Sequence, residues 1–173
     1  MDNTIIIYTD GSALGNPGRG GYGYLVWDTQ ADTVLEGGGY QNHATNNQME
    51  MMALLGSLEY LNTLKEKENI EIKMDSNYVK NGISSWINNW KKNNWQTANK
   101  KPVLNKELWL KIDTAWQKAN LKHKIKLSYV AGHVGIGGNE MVDQIAKSFA
   151  EHKKWDCFSG SKMRFEVLRK IKL

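Results

Sequence analysis

Four acidic residues stand at places where an α/β chain would bring carboxylates together. Asp10 follows an apolar run at residues 5–7, and Asp75 ends a short predicted strand. Glu50 and Asp143 lie near the starts of two predicted helices. A buried carboxylate is costly unless it is paired or bound to metal, and neighbouring carboxylates raise one another's pKa. We therefore interpret these four residues as candidate ligands of a metal site that would neutralise them.

The candidate ligands supply only oxygen atoms. No cluster of cysteine and histidine accompanies them, and Cys157 is the single cysteine of the chain. Acid-rich oxygen ligation favours Mg²⁺ or Mn²⁺ over Zn²⁺. Two such ions beside a surface for a polyanion would suit phosphoryl transfer by a two-metal mechanism. Each acid taken alone also fits an ordinary role in a turn, a helix cap or a solvated helix face, because the chain offers 18 acids.

The charge of the chain changes sign near residue 90, where lysines and tryptophans begin to alternate. Residues 1–90 carry 5 basic and 11 acidic side chains, whereas residues 91–126 carry 10 and 2. Such a surface can follow a phosphate backbone while its rings pack on sugars or bases. The candidate contacts are Trp86, Trp90, Trp95, Lys91, Lys92, Lys100 and Lys101. The alternative is that the tryptophans anchor a helix in the core, and both interpretations can hold together.

Two glycine-rich stretches have different interpretations. His133 lies in the stretch 132–138, and its ordinary pKa near neutrality makes it a candidate proton shuttle, although a loop histidine without a role is the alternative. Residues 18–23 match the dinucleotide pattern G-x-G-x-x-G, but residues 24–27 predict a strand instead of the helix that such a site requires. We therefore reject a dinucleotide site.

The order of the predicted elements indicates a mixed sheet with helices packed on its faces. Strands are predicted at about 4–10, 22–28, 33–40, 70–74 and 125–130, and helices at about 46–64, 76–90, 106–119 and 139–150. Residues 11–21 are predicted to be rich in turns, and the tail 151–173 is left open between helix and strand. The lone cysteine, and the lack of a signal-like or membrane-spanning apolar run, point to the cytoplasm.

Several motifs, taken in order, resemble those of the bacterial type 1 ribonuclease H family over about residues 4–150. They are Thr9-Asp10-Gly11-Ser12, Thr45-Asn46-Asn47-Gln48-Met49-Glu50, Asp75-Ser76-Asn77-Tyr78-Val79, and Gly132-His133 followed by Asn139-Glu140 and Asp143. The resemblance implies a ribonuclease H-like α/β fold, in which a five-stranded mixed β-sheet has helices on both faces. It also implies a catalytic domain at residues 1–150, followed by a C-terminal basic extension at 151–173.

The activity that the resemblance implies is hydrolysis of the RNA strand of RNA–DNA hybrids by two-metal-ion catalysis, giving 5′-phosphate and 3′-hydroxyl ends. Asp10, Glu50, Asp75 and Asp143 would hold two Mg²⁺ ions, with Mn²⁺ as an alternative. His133 would assist proton transfer or product departure. Asn16, Asn46, Asn47 and Asn77 would contact the hybrid, in part at 2′-hydroxyls of the RNA strand, and Thr45 and Asn105 would hold a phosphate of the DNA strand. The rest of the DNA-strand contacts would come from Trp86, Trp90, Lys91, Lys92, Lys100 and Lys101.

Two residues depart from the family's pattern. Gly138 stands where members often carry a glutamate, and Asn77 stands where a glutamine is common. We expect a monomer that needs no protein partner and no membrane. Two alternatives stay open, namely a catalytically inactive hybrid-binding module and a DNA-acting nuclease of the same fold.

Overall fold

The central feature of the fold is a mixed sheet, which the computed structural model describes within residues 4–131 and 135–173. Its strands are β1 (Thr4–Gly15), β2 (Gly18–Asp28), β3 (Thr33–Ala44), β4 (Asn69–Met74), β5 (Lys124–Tyr129) and β6 (Ser159–Ser161). The spatial order is β5-β4-β1-β2-β3-β6. β4 pairs in parallel with β1 and β5, and the other pairings are antiparallel. The predicted fold class is confirmed, and the tail adds a sixth, short strand to the predicted five.

The helices lie on both faces of this sheet. They are α1 (Asn46–Leu61), α2 (Asn77–Asn81), α3 (Ile87–Lys92), α4 (Lys106–Lys122), α5 (Gly137–Ala150) and α6 (Lys162–Arg169). A π-helical turn, Gly82–Trp86, joins α2 to α3, where the Trp109 ring fills the space that a Cβ on Gly82 would take. Within the described ranges, no helix combines the length and apolar character needed to cross a bilayer.

The prediction of turns at residues 11–21 is wrong, because most of this segment is strand. β1 and β2 form one long hairpin whose register places Asp10 opposite Gly23 and Ser12 opposite Gly21. A Cβ on Gly11 would collide with the backbone of α1 at Glu50, and one on Gly21 would collide with the backbone of α5. The glycines therefore let helices on opposite faces approach the hairpin closely, which is a different use of glycine from turn formation.

The alternation of side chains along the strands divides the core into two clusters. Ile5 and Ile7 of β1 pack with α1 and α4 on one face, and Tyr8 packs with α5 and α6 on the other. Phe165 of α6 is fully buried in the second cluster. Burial on both faces explains why β1 is apolar at consecutive positions.

The C-terminal extension is attached to the sheet by one buried carboxylate. The Glu36 side chain, from β3, accepts hydrogen bonds from Trp155 Nε1 at 3.0 Å and from the Phe158 N–H at 2.9 Å. Arg169 adds a two-point ion pair, with its nitrogens 2.9 and 2.5 Å from the two Glu36 oxygens. We call this set the Glu36 anchor. β6 pairs with β3 at residues 33–35, so the extension is a strand and a helix held at the sheet edge.

Candidate metal centre

Three of the four candidate acids converge where the parallel pairing of β1 with β4 ends, at Thr9 and Met74. Asp10 lies on β1, and Asp75 directly follows β4. Glu50 reaches the same place from the second turn of α1, whose close approach depends on the missing Cβ of Gly11. One carboxylate oxygen of each acid lies within 4.8 Å of the others. We call these three residues the carboxylate triad.

Burial and mutual repulsion both act on the triad. Burial, followed by the charge of Asp75, raises the pKa of Asp10 to about 7, while a hydrogen bond from the Gly11 N–H at 2.7 Å opposes this rise. Burial, followed by the charges of Asp10 and Asp75, raises the pKa of Glu50 well above its usual range. Each of the Asp10 and Glu50 carboxyl groups also acts on the pKa of the other. The raised pKa values favour the protonated forms, so a cation bound here would compete with protons.

The triad suits a hard divalent cation. Asp10 and Glu50 are each only 7% exposed. Across residues 4–131 and 135–173, neither carboxylate forms an ion pair with a lysine or an arginine. Buried carboxylates without a cationic partner are costly. Three clustered oxygen donors, two of them buried without a lysine or arginine ion pair in the described ranges, fit a Mg²⁺-like ion by charge and by ligand type.

Asp143, the fourth candidate ligand, is not one of the three acids whose carboxylate oxygens lie within 4.8 Å of one another. α5 begins at Gly137, so Asp143 lies at the end of its second turn, further from the helix start than predicted. Its Oδ2 atom is 2.7 Å from Lys147 Nζ, one helical turn onward. Its charge nevertheless contributes to the raised pKa of Asp10. Asp143 therefore acts electrostatically on the triad while Lys147 neutralises it.

His133, the candidate proton shuttle, lies outside the described residues. Its role stays a prediction. Ile136, the last residue before α5, and Gly138, in its first turn, are described. A Cβ on Gly138 would collide with the Tyr8 ring, so a glutamate at this position would require a different packing of α5 on β1.

The candidate contacts to the RNA strand surround the triad. Asn16, Asn46, Asn47 and Asn77 are all exposed. The N–H of Asn46 donates to Asn16 Oδ1 at 3.1 Å, which ties the tip of the β1–β2 hairpin to the start of α1. Asn77 begins α2, two residues after Asp75. These amides are therefore available next to the acids.

Thr45 and Asn105, the candidate phosphate contacts, are connected through Gln48. The Thr45 Oγ1 atom accepts from the Gln48 N–H at 3.2 Å, and Gln48 Oε1 accepts from the Thr45 N–H at 2.8 Å. Gln48 Nε2 then donates to Asn105 Oδ1 at 3.1 Å. The starts of α1 and α4 thus meet beside a cavity of about 460 Å³ lined partly by Lys106 and Lys111. Helix N-termini and lysines together favour an anion.

Gln48 is absent from the predicted contacts, although the sequence carried a signal for it. Thr45 followed by glutamine three residues later is the pattern of a capping box, and the structure contains both of its hydrogen bonds. The same signal would not have indicated the bond to Asn105, which lies 57 positions away.

The tryptophans of the basic region pack mainly against one another. The Trp90 ring lies 5.8 Å from Trp86, 6.3 Å from Trp95 and 5.6 Å from buried Trp109. This cluster supports the core interpretation, while each of the first three rings keeps some exposure. Lys91 is held by Asp113 at 2.7 Å. Lys92, Lys100 and Lys101 are exposed, so they form the more accessible part of the surface.

The mixed sheet with a carboxylate triad beside its central strand defines a protein of the ribonuclease H-like fold with a candidate metal centre. The RNase H family model matches residues 2–151. The chain belongs to the RNase H family.

Relatives of known name support this assignment. Ribonuclease HI of Haemophilus influenzae (strain ATCC 51907) is 47% identical over 152 residues, covering 88% of this chain and 93% of the relative. Ribonuclease H of Nitrobacter hamburgensis is 43% identical over 143 residues, covering 83% and 89%.

Solved structures agree on the fold. LC11-RNase H1, crystallised in complex with an RNA/DNA hybrid, has a TM-score of 0.62 at 26% identity, covering 86% of this chain and 97% of its own. LC9-RNase H1 has a TM-score of 0.74 at 21% identity, covering 96% and 82%, and supports the fold alone.

Proposed function

We propose that this protein is an endonuclease that hydrolyses the RNA strand of RNA–DNA hybrids, leaving 5′-phosphate and 3′-hydroxyl ends. The observation that carries the proposal is the carboxylate triad, in which one oxygen of each acid lies within 4.8 Å of the others and two of the acids, Asp10 and Glu50, are buried. Membership of the RNase H family and the names of its relatives supply the substrate class.

The proposed metal ligands are Asp10, Glu50, Asp75 and Asp143. Two Mg²⁺ ions bound there would supply Lewis acidity that activates a water molecule and stabilises the leaving 3′ oxygen. With metal bound, Asp10 and Glu50 would act as carboxylates, and Asp143 would turn from its ion pair with Lys147 to the metal site. His133 is the proposed proton carrier. Mn²⁺ is the alternative ion, because it accepts the same oxygen ligands.

The proposed substrate contacts fall into three groups around this centre. The amides of Asn16, Asn46, Asn47 and Asn77 would read 2′-hydroxyl groups, which distinguish RNA from DNA. Thr45 and Asn105, linked by Gln48, would receive a phosphate of the DNA strand at two helix N-termini. The basic region would contact more of that strand through Trp86, Trp90, Lys91, Lys92, Lys100 and Lys101.

Residues 1–150 would form the catalytic domain, and residues 151–173 would form the extension that packs on it. The enzyme would act in the cytoplasm, because its relatives are bacterial and hybrids form where DNA is copied and transcribed.

A cleavage assay tests the activity. End-labelled RNA–DNA hybrid, double-stranded RNA, double-stranded DNA and single-stranded RNA are offered with Mg²⁺ or with EDTA, to the wild type and to Asp10→Asn. We expect cutting of the hybrid's RNA alone, lost in EDTA and in the variant. Cutting of DNA would instead indicate a DNA-acting nuclease. Hybrid binding without cutting, in either Mg²⁺ or Mn²⁺, would indicate an inactive binding module.

A salt titration tests the DNA-strand surface. Replacing Lys92, Lys100 and Lys101 by alanine should make the slope of log affinity against log salt concentration shallower by about 2–3, since each lost phosphate contact contributes about 0.7–0.9. The matched control replaces Lys65, Lys67 and Lys124. These lysines are exposed near the starts of β4 and β5, whereas the carboxylate triad lies at the other end of β4. Equal slopes for the two triple variants would refute this assignment of the surface.

A further inference from the structure

We propose that the last residues of the chain act as a positioning element for helix α5, and through it for Asp143. This inference rests on the proposed role of Asp143 as a metal ligand. It gives the C-terminal extension a part in the reaction, although the extension packs on the sheet face opposite α1.

The decisive contact is made by a backbone carbonyl. The oxygen of Lys172 occupies the space that a Cβ on Gly137 would take, and the Ile171 side chain lies next to the same point. Gly137 is the first residue of α5. At the next residue, Gly138, the Tyr8 ring of β1 occupies the space that a Cβ would need. The first turn of α5 is therefore held between β1 and the chain terminus.

The terminus has a defined position of its own. Ile171 and Leu173 pack against the core cluster that includes Met141 and Val142 of α5. The N–H of Leu173 donates to Glu166 Oε1 at 3.1 Å. Upstream, the Glu36 anchor and the buried ring of Phe165 hold α6 on the sheet. Lys172 is thus the end of a fixed connection that starts at β3.

The geometry of α5 transmits this contact to the metal centre. Asp143 lies six residues beyond Gly137, so at 1.5 Å per residue about 9 Å of rigid helix separates them. A change at the start of the helix therefore moves the Asp143 carboxylate relative to the triad. Residues that orient metal ligands typically change metal affinity by about 10–100-fold when they are altered.

A competing interpretation assigns the tail to substrate binding, because residues 151–173 carry 7 basic and 3 acidic side chains. Lys172 distinguishes the two interpretations. Its charged side chain could contribute only to substrate binding, whereas its backbone carbonyl makes the contact with Gly137. Replacement by alanine removes the charge and keeps the carbonyl.

The experiment compares the wild type with three variants. One variant ends at Arg169 and lacks both the carbonyl and the charges of Lys170 and Lys172. The charge-matched control, Lys170→Ala with Lys172→Ala, keeps the carbonyl. The third variant, Gly137→Ala, introduces the Cβ from the opposite side of the contact.

Mn²⁺ binding without substrate is measured by calorimetry, and kcat and KM for hybrid cleavage are measured against Mg²⁺ concentration. Circular dichroism reports folding.

We expect the truncated variant and Gly137→Ala to bind Mn²⁺ about tenfold more weakly and to need correspondingly more Mg²⁺, with lower kcat and unchanged KM. The charge-matched control should keep the metal affinity and kcat of the wild type.

Wild-type metal binding in Gly137→Ala would overturn the proposal, and this result decides the matter if the truncated variant does not fold. Metal weakening in the charge-matched control equal to that of the truncation would also overturn it. Because calorimetry needs no substrate, failure of the wild type to cut hybrid would refute the proposed function separately.

Discussion

One sheet contains two buried carboxylate sites that are stabilised in opposite ways. Where the parallel pairing of β1 with β4 ends, Asp10 of β1 and Glu50 of α1 are buried with no lysine or arginine ion pair among the described residues, and burial raises the pKa of each. On β3, the Glu36 side chain is fully buried, but an arginine and two N–H donors surround it. The first site lacks positive charge, and the second is complete within the protein.

The difference separates a functional carboxylate from a structural one. A buried charge needs a partner, and the partner can be either part of the chain or a ligand. Glu36 uses the chain to attach the C-terminal extension. Asp10 and Glu50 have no lysine or arginine ion pair in the described ranges, so the stability of this buried pair depends on protons or on an added cation.

Removal of the Asp10 charge should have the largest effect. Asp10→Asn should lower hybrid cleavage at least about 10³-fold, because a lost metal ligand removes several kcal/mol of transition-state stabilisation. Steady-state assays in Mg²⁺ measure this loss, with Asp32→Asn as the control at an exposed turn. Near-normal turnover in Asp10→Asn would show that the triad is not the metal site.

The corresponding amide change at the Glu36 anchor should act on stability instead. Glu36→Gln should lower the free energy of unfolding by about 3–5 kcal/mol, because it leaves the mostly buried Arg169 without its countercharge. Urea unfolding measures this change. The comparison between the two sites fails if Glu36→Gln unfolds at the urea concentration of the wild type.

The pH dependence of the metal-free protein should reveal the triad directly. The pKa of Asp10 is about 7 in the folded chain and 3.8 when unperturbed, so the folded state binds more protons between these values. Stability in EDTA should therefore fall by a few kcal/mol as pH rises from about 4 to 7. Asp10→Asn should flatten this fall and be more stable than the wild type above pH 7. A fall of the same size in the variant would assign the dependence to other groups.

The smallest effect concerns Asp143, whose carboxylate is paired with Lys147. Lys147→Met should lower the Mg²⁺ concentration for half-maximal activity by about two- to fivefold, because the partly exposed ion pair competes with the metal for Asp143 and is worth at most about 1 kcal/mol. Mg²⁺ titrations of activity measure it. An increase in the Mg²⁺ requirement would mean that Lys147 holds Asp143 in place for the metal.

The sequence predicted the sheet and the location of the acids because these depend on local patterns. Asp10 and Asp75 each follow an apolar strand segment, and Glu50 follows a recognisable helix start, so the order of the strands brings them together. The Lys147 partner of Asp143 was also visible as an i,i+4 pair, although its competition with the metal site depends on which way α5 faces.

Features that depend on distant packing were missed. Gly11 and Gly21 suggested turns, because a single sequence does not distinguish a glycine that turns the chain from one that admits a helix. Glu36 and Arg169 are 133 positions apart, and each resembles an ordinary charged residue until the fold joins them. The same holds for Gly137, whose neighbour is the penultimate residue of the chain.

The pairing of β6 with β3 has a consequence for solubility. An open strand edge presents free N–H and C=O groups to other chains, and proteins commonly cover such edges. β6 covers residues 33–35, the part of β3 next to the Glu36 anchor. Loss of the extension to a protease would uncover this edge together with the pocket vacated by Phe165. Clipped molecules should therefore aggregate through strand addition even while the rest of the sheet remains folded.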